Sequence, residues 1–464
     1  MKKIIASVGA VALGLAGAQG VFAQAQLESS EKSLPWLSAS LSVRGFYDDN
    51  ITSSWKGTLP TGVEVDPKDS FGFQIVPSVG LKYQDELTLA SIRYEYGYTY
   101  YADRASPKYD QSHLVDAVFN RQFSDNVRLE LSNSFAVAQE PEVLSDFVGQ
   151  QFMTRAEGDN IRNFAEALLG VKYYENLGFE VGYRNAYWDF ENDDYAFILN
   201  RMEHTPHVDL YYDLDDVNRL FVGYQFNFAD YDGSGQRDLY GVDGQKLYDV
   251  TRMRATYGSD LYDRMSHSGY VGYRLTLDKG LDWTTRLGVQ YTSFRNVKDY
   301  RDQGYWYEDP TSPGVLLPGG RVDLSKDATN PFVESIFRWA YHENGTAQLG
   351  VRHEIGASQW GAMEAEVTTL FASVRHLITP RLEGALSGVY QHSSYGASPS
   401  SQISDNTHDD YFSIGPSLSY RITGFDCPIG TFVDLSYSYD NLSSNIDYRD
   451  YDRNRVTLGL RATY

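Results

Sequence analysis

The sequence predicts an all-β chain that crosses a membrane as an antiparallel up-and-down β-barrel of about 18 strands, with 16 as the alternative count. Three observations predict it. Alternating apolar and polar residues recur in segments of roughly a dozen residues, the period of a strand with two different faces. The connections between segments alternate between short turns and long polar loops, the two rims of an outer-membrane barrel. Tyrosine is heavily used, with 37 Tyr beside 23 Phe and 7 Trp, and its apolar ring and wet tip suit strands and membrane interfaces. The mean hydropathy of −0.43 does not argue against a membrane. Only alternate residues of a barrel strand face lipid, so the test for a membrane helix does not register them.

The first element is a leader. "MKKIIASVGAVALGLAGAQGVFA" begins with Lys2 and Lys3, continues apolar from Ile4 to about Ala18, and closes on Val21-Phe22-Ala23. That is the pattern of a secretory signal peptide, residues 1–23. Residues 24–35 read as a periplasmic lead-in, and 36–464 as a single outer-membrane barrel domain.

Strand patterns follow at 36–47, 71–83, 87–101, 111–123, 127–139, 161–174, 178–190, 206–214 and 219–230 in the first half. The second half carries 265–277, 282–294, 331–341, 346–357, 364–376, 381–393, 410–422, 431–440 and 453–464. The alternation is weakest at 206–214 and 364–376. It is clearest in "SIRYEYGYTYY", where Ile92, Tyr94, Tyr96, Tyr98 and Tyr100 oppose Ser91, Arg93, Glu95, Gly97 and Thr99. Twelve residues at about 3.3 Å each, tilted by about 40°, span roughly 30 Å, close to the apolar band of such a barrel.

Short connections at "QDE", "SDN", "ENL", "DDVN", "DKG", "HENG" and "ITP" are rich in turn formers. Long ones lie near 48–70, 140–160, 231–264, 295–330 and 394–409. Both termini are then periplasmic, and the long loops extracellular. Those loops are acidic and aromatic, as in "DYRDQGYWYEDP", but none has the ligand spacing of a calcium loop.

If the apolar face meets lipid, the other face lines a lumen, and it is strongly charged. The candidate lumen-lining residues are Arg44, Arg93, Glu95, Arg128, Glu130, Arg184 and Arg274 in the first part of the chain. Arg286, Glu334, Arg338, Arg352, Glu354 and Arg421 continue the set. Several pairs sit two apart on one strand, so they point the same way. This many charges would be costly in a dry core, so the lumen is expected to hold water. The last segment, "RVTLGLRATY", alternates to Tyr464, which is the candidate assembly signal; a terminal aromatic resembles the ending that outer-membrane assembly machinery recognises.

Other classes are disfavoured. A net charge of −22 argues against a nucleic-acid partner, which wants a basic face. The single cysteine, Cys427, allows no internal disulfide and no Cys-based metal site. There is no Gly-x-Ser-x-Gly elbow, and "HENG" and "HEIG" lack the second His of a zinc-protease motif. Neither an enzyme nor a cofactor is expected.

The first strand and its exit, "SASLSVRGFYDDNI", resemble the opening of the putative beta-barrel porin 2 family, which carries an aromatic-Asp-x-Asn-aliphatic element there. Here that element is Tyr47-Asp48-Asp49-Asn50-Ile51. Tyr-rich hairpins such as "LGFEVGYRNAYWDF" are similar to it as well. The resemblance implies a Gram-negative outer-membrane barrel with pore activity and no catalytic residue. Related barrels are associated with exopolysaccharide export, a rival role.

The expected function is a porin-like channel for passive or weakly selective diffusion of small hydrophilic solutes. An exopolysaccharide export or assembly barrel, or a plugged barrel acting as a surface binding protein, are the alternatives. The expected partners are outer-membrane lipid, the assembly machinery and the solutes, and a homo-oligomer is compatible with the pattern.

Overall fold

Period-two alternation becomes a closed sheet. The computed structural model describes residues 36–58, 62–138, 159–240, 246–277, 280–322, 324, 327–356, 365–396, 407–424, 427–445 and 448–464. The expected signal peptide and nearly all of the lead-in lie outside the described residues. The barrel strands are β1 (Leu37–Asp48), β2 (Ser70–Gln84), β3 (Thr88–Tyr101), β4 (Tyr109–Ser124), β5 (Val127–Ala138) and β6 (Asn160–Lys172). Then come β7 (Leu177–Phe190), β8 (Arg201–Asp213), β9 (Asn218–Tyr231), β10 (Arg264–Leu277), β11 (Leu281–Phe294) and β12 (Ala328–His342). The last six are β13 (Gly345–Gly356), β14 (Ala365–Thr379), β15 (Leu382–Tyr395), β16 (Thr407–Arg421), β17 (Gly430–Ser444) and β18 (Tyr451–Thr463).

All pair antiparallel with their chain neighbours, and β1 closes against β18 with Ser40 through Asp48 opposite Thr463 through Arg455. Closure leaves no strand edge to be satisfied in lipid. Each of the 18 segments expected from sequence overlaps one of these strands, so the count is 18 and not 16.

Short turns gather at the rim that holds the chain's first and last strand ends. Asp85 makes one of them, accepting the backbone N–H groups of Leu87 at 2.8 Å and Thr88 at 2.6 Å. Asp215 repeats this toward Val217 and Asn218. These N–H donors hold both carboxyls below the usual aspartate range.

The outer face is apolar and exposed, as a lipid-facing wall must be. Along β18, Val456, Leu458 and Leu460 are 45%, 57% and 56% exposed while Arg461, the next residue and on the opposite face, is 7% exposed. Aromatics crowd the short-turn rim: Trp36, Tyr83, Tyr173, Tyr174, Trp339 and Tyr464 are all exposed there. The Tyr464 backbone trades hydrogen bonds with Ala39 across the seam, 2.8 and 3.0 Å.

Four prolines sit inside barrel strands; Pro331, opposite Val289 of β11, lies before the β12–β13 pairing begins at Val333, and the other three interrupt a ladder. Each of those three keeps the register on one side and lacks paired partners on the other. Pro77 faces Leu41 of β1, but the β2–β3 pairing skips from Ile75 to Ser78. Pro206 faces Tyr183 of β7 while the β8–β9 pairing skips from His204 to His207. Pro416 faces Leu386 of β15 while β16–β17 skips from Ile414 to Ser417. A proline has no N–H to give, so the interruption falls where the ladder would have needed one.

Candidate functional site

The inward face carries the chemistry, and its residues come together in three groups. The largest is an ion-paired belt across β5–β13. Arg128 on β5 pairs with Glu130 at 3.0 Å and reaches over β6 to Glu180 on β7 at 2.6 Å. Glu180 also receives Arg219 of β9 at 3.2 Å and Arg274 of β10 at 3.7 Å. Arg286 on β11 lies 3.8 Å from Asp209 on β8 and is hydrogen-bonded to Glu334 on β12. Glu334 is 4.0 Å from Arg352 on β13, which pairs with Glu354 at 2.8 Å. Arg184 donates to Gln225 at 2.6 Å, and Arg338 lies 3.9 Å from Asp282.

The geometry follows from the strand period. Side chains two apart share a face, and those on adjacent strands sit within reach of one another. An arginine stem is long enough to cross a neighbouring strand where that strand offers only a small residue. Arg128 does this over Gly170, whose absent Cβ would lie 3.0 Å from the guanidinium stem.

The second group is aromatic. Tyr211, Phe221, Tyr270 and Phe332 form one buried cluster, none more than 7% exposed. The Tyr270 hydroxyl donates to Asp209 at 2.6 Å. The Arg219 guanidinium sits 3.6 Å over the Tyr211 ring, and Arg286 lies 5.6 and 5.8 Å from the Phe221 and Tyr270 rings. Such stacking ties the rings to the belt. The rings lie flat because glycines make room for them. A Cβ at Gly272 would come within 2.1 Å of Phe221, and one at Gly178 within 2.2 Å of the Tyr211 hydroxyl.

The third group caps the extracellular end. The connections at 191–200, 232–263 and 295–327 meet in an apolar cluster with Phe197, Leu239, Leu247 and Leu261 at its centre, each at most 2% exposed. A short helix, Asp193–Leu199, and a small sheet of 247–248, 305–308 and 316–320 build it. Asp263, at the foot of this cap, accepts the Tyr231 N–H at 2.9 Å. Burial pushes its carboxyl up to about 6, and Asp230 and Asp260 add to the rise.

Of the candidates read from sequence, Arg128, Glu130, Arg274, Arg286, Glu334, Arg352 and Glu354 join the belt. Arg93 bonds Glu95 as a separate pair on β3. Arg44 stands apart on β1, donating to Ser42 at 2.8 Å. Arg421 lies beyond them at the short-turn end, its guanidinium 5.9 Å from the Phe432 ring. Arg219 and Phe332 were not among the expected inward residues. Parity alone would have found both: Arg219 is two from Phe221, and Phe332 is two from Glu334.

The sequence comparisons fit this build. The family described as Putative beta-barrel porin 2 matches residues 324–464, the stretch that carries β12–β18. No curated protein matches the chain. Among solved structures, a BenF-like porin from Pseudomonas fluorescens Pf-5 is 10% identical over 93% of this chain and 100% of its own, with a TM-score of 0.41. OccK5 (OpdH) of Pseudomonas aeruginosa is 12% identical over 93% and 99%, with a TM-score of 0.41. The outer membrane protein opdK of the same species is 9% identical over 92% and 99%, with a TM-score of 0.39. A closed 18-strand barrel with an apolar belt, matched in its last seven strands by a porin family, is a porin-like protein of the outer membrane.

Proposed function

We propose that the barrel is a channel for passive or weakly selective diffusion of small hydrophilic solutes. The lumen-lining role of Arg44, Arg93, Glu95, Arg184, Arg338, Arg421 and the belt residues is part of that reading. One observation carries it. The belt arginines keep accessible surface on a face turned away from lipid: the side chains of Arg128, Arg274 and Arg286 are 28%, 27% and 23% exposed. Charges there need water, and a barrel of 18 strands is wide enough to hold it. Paired Arg and carboxylate rows would polarise passing solutes without binding them tightly enough to trap them.

The extracellular cap favours a second reading, a plugged barrel that binds at the surface. The polysaccharide-export reading gains little, because the inward rings of Tyr211, Phe221, Tyr270 and Phe332 are covered and offer no stacking face to a sugar. Planar-bilayer recording separates the first two. Stepwise openings support the channel, and a silent membrane at comparable protein incorporation supports the plug.

A further inference from the structure

We propose that the hydrocarbon boundary of the outer leaflet is uneven around the barrel, and that the outward face of β14–β18 at its extracellular end docks phosphate-bearing lipid headgroups. This does not depend on whether the barrel conducts. The observation is a contrast within one face of one sheet. The second and fourth residues from the extracellular end of a strand point outward on β2, β3 and β14–β18. On β2 and β3 they are Phe71, Phe73, Tyr98 and Tyr100, all aromatic. On β14–β16 they are Glu366, Thr368, His392, Ser394, His408 and Asp410. Asn441 and Ser443 of β17 and Asp452 and Asn454 of β18 continue the polar set.

Parity puts the polar set on the lipid side. Glu366 and Thr368 lead into Leu370, His408 and Asp410 into Phe412, and Asp452 and Asn454 run on to Val456, all three of these apolar residues exposed. The residues between them, Val367, Ser393 and Asp409 among them, are buried. The strands that carry the two sets are of similar length, so the polar ends shorten the apolar belt. At the other rim both regions stay apolar, with Leu81 and Tyr83 exposed on β2 and Tyr420 and Ile422 exposed at the end of β16. The belt beside β14–β18 is therefore shorter by two outward positions, about 10 Å at about 3.3 Å per residue and a tilt of about 40°. A bilayer meets a short belt by thinning locally, which brings its headgroups down to the polar side chains.

The side chains are arranged for that contact. Tyr390 donates to Asp410 at 2.6 Å, Tyr437 to Asn454 at 2.6 Å and Tyr439 to Asp452 at 2.7 Å. An apolar ring with its hydroxyl bonded to a polar neighbour is the posture of an interfacial tyrosine. His392 meets Asp410 at 2.9 Å through Nδ1, and His353 of β13 meets Glu366 at 3.2 Å through Nε2. The carboxylates are thus held by protein donors, and the histidines add groups that can carry positive charge against a phosphate. Buried in acyl chains, the same carboxylates would be costly. On β2 and β3, by contrast, Phe73 stacks on Tyr100 with 5.3 Å between ring centroids, a surface suited to hydrocarbon.

The test places one cysteine at a time in the full-length barrel with Cys427→Ser, which removes the single native cysteine. Ser394→Cys on β15 and Ser443→Cys on β17 probe the polar ends, Phe73→Cys on β2 the aromatic end, and Leu386→Cys on β15 the middle of the belt. Each variant is labelled with a small fluorophore and inserted into phosphatidylcholine vesicles, with insertion checked by the heat-dependent mobility shift on a gel. Quenching is read with lipids brominated along their acyl chains and with lipids spin-labelled at the headgroup. The expected result is strong chain quenching at Leu386→Cys and Phe73→Cys. At Ser394→Cys and Ser443→Cys, chain quenching is lost and headgroup quenching is strong. Chain quenching at both serine positions equal to that at Phe73→Cys overturns the proposal, as does headgroup quenching at Phe73→Cys equal to theirs. Protection of both serine positions from both quenchers also overturns it and assigns the surface to a protein neighbour. Two polar positions guard against one variant failing to insert.

Discussion

Glu180 stands among three arginines, Arg128, Arg219 and Arg274, within 2.6 to 3.7 Å. Changing Glu180→Gln keeps the shape and removes the charge that neutralises them. Breaking a buried ion pair from one side costs about 3–5 kcal/mol, and the partial exposure of the three arginine side chains, 28%, 20% and 27%, puts this case at the low end or below. A unit charge about 6 Å away in water is worth roughly 0.7 kcal/mol, or roughly a threefold change in local ion occupancy. Glu180→Gln is therefore expected to lower the unfolding midpoint and to move the reversal potential in a salt gradient toward anions. An unchanged reversal potential would mean that permeating ions do not pass near this belt. Asp263 gives the pH-sensitive counterpart. Its folded value of about 6 lies above the 3.8 of an ordinary aspartate, so the folded cap holds its proton more tightly than the unfolded chain. Its contribution is fully present below about pH 4 and is lost as pH rises through 6. Limited proteolysis of the 232–263 connection should be slower at pH 5 than at pH 7.5, and Asp263→Asn should remove that difference.

At the scale of elements, the "YDDNI" stretch turns out to be the clasp of the barrel seam. Asp48, fully buried, receives two nitrogens of Arg453 from β18 at 2.6 to 3.1 Å. Asp49 accepts both the backbone N–H and the side-chain amide of Asn454, at 2.6 and 2.8 Å. Asn50 donates to the carbonyls of Ser54 and Asp452, both at 3.0 Å, and Ile51 packs with Phe46 and Tyr101. Asp48, Asp49, Asn50 and Ile51 thus join the first loop to the last strand or to the inner wall, while Tyr47 faces outward against Phe71. Asp48→Asn leaves Arg453 buried without its carboxylate, a loss of about 3–5 kcal/mol. The expected result is a lower temperature for the shift from folded to unfolded mobility on an electrophoresis gel, with the same variant at Asp69, an exposed loop carboxylate, as control. No shift would assign the motif to the loop rather than the seam. The strands themselves were legible because lipid and lumen impose opposite polarity on successive residues. Their ends were less so. The expected start at 206 instead of Arg201 traces to Pro206, which weakens a strand reading yet is tolerated where only one ladder is interrupted. The belt was legible as a set of inward residues. Its partners were not, because Arg128 to Glu180 crosses an intervening strand and no sequence spacing encodes that reach.

The whole molecule is bound together by closure. The family match covers only β12–β18, yet those seven strands do not make a structural unit. Cut at residue 324, β12 loses its pairing with β11, from Ala328 opposite Thr292 to Trp339 opposite Leu281. β18 loses β1, and Asp48 no longer meets Arg453. Two open edges would then lie in hydrocarbon, where each unpaired backbone group costs several kcal/mol. The belt would be divided as well, since Arg286 would leave Glu334 and the aromatic cluster would lose three of its four rings. A fragment of 324–464 is therefore expected to aggregate or remain extractable by urea, without the heat-dependent mobility shift of the full barrel. Co-refolding it with 36–323 should restore that shift, because the pairing at both cuts can re-form between chains. A folded, urea-resistant species from the C-terminal fragment alone would show that these strands close on themselves or on copies of one another, and that the 18-strand ring is not the smallest stable unit.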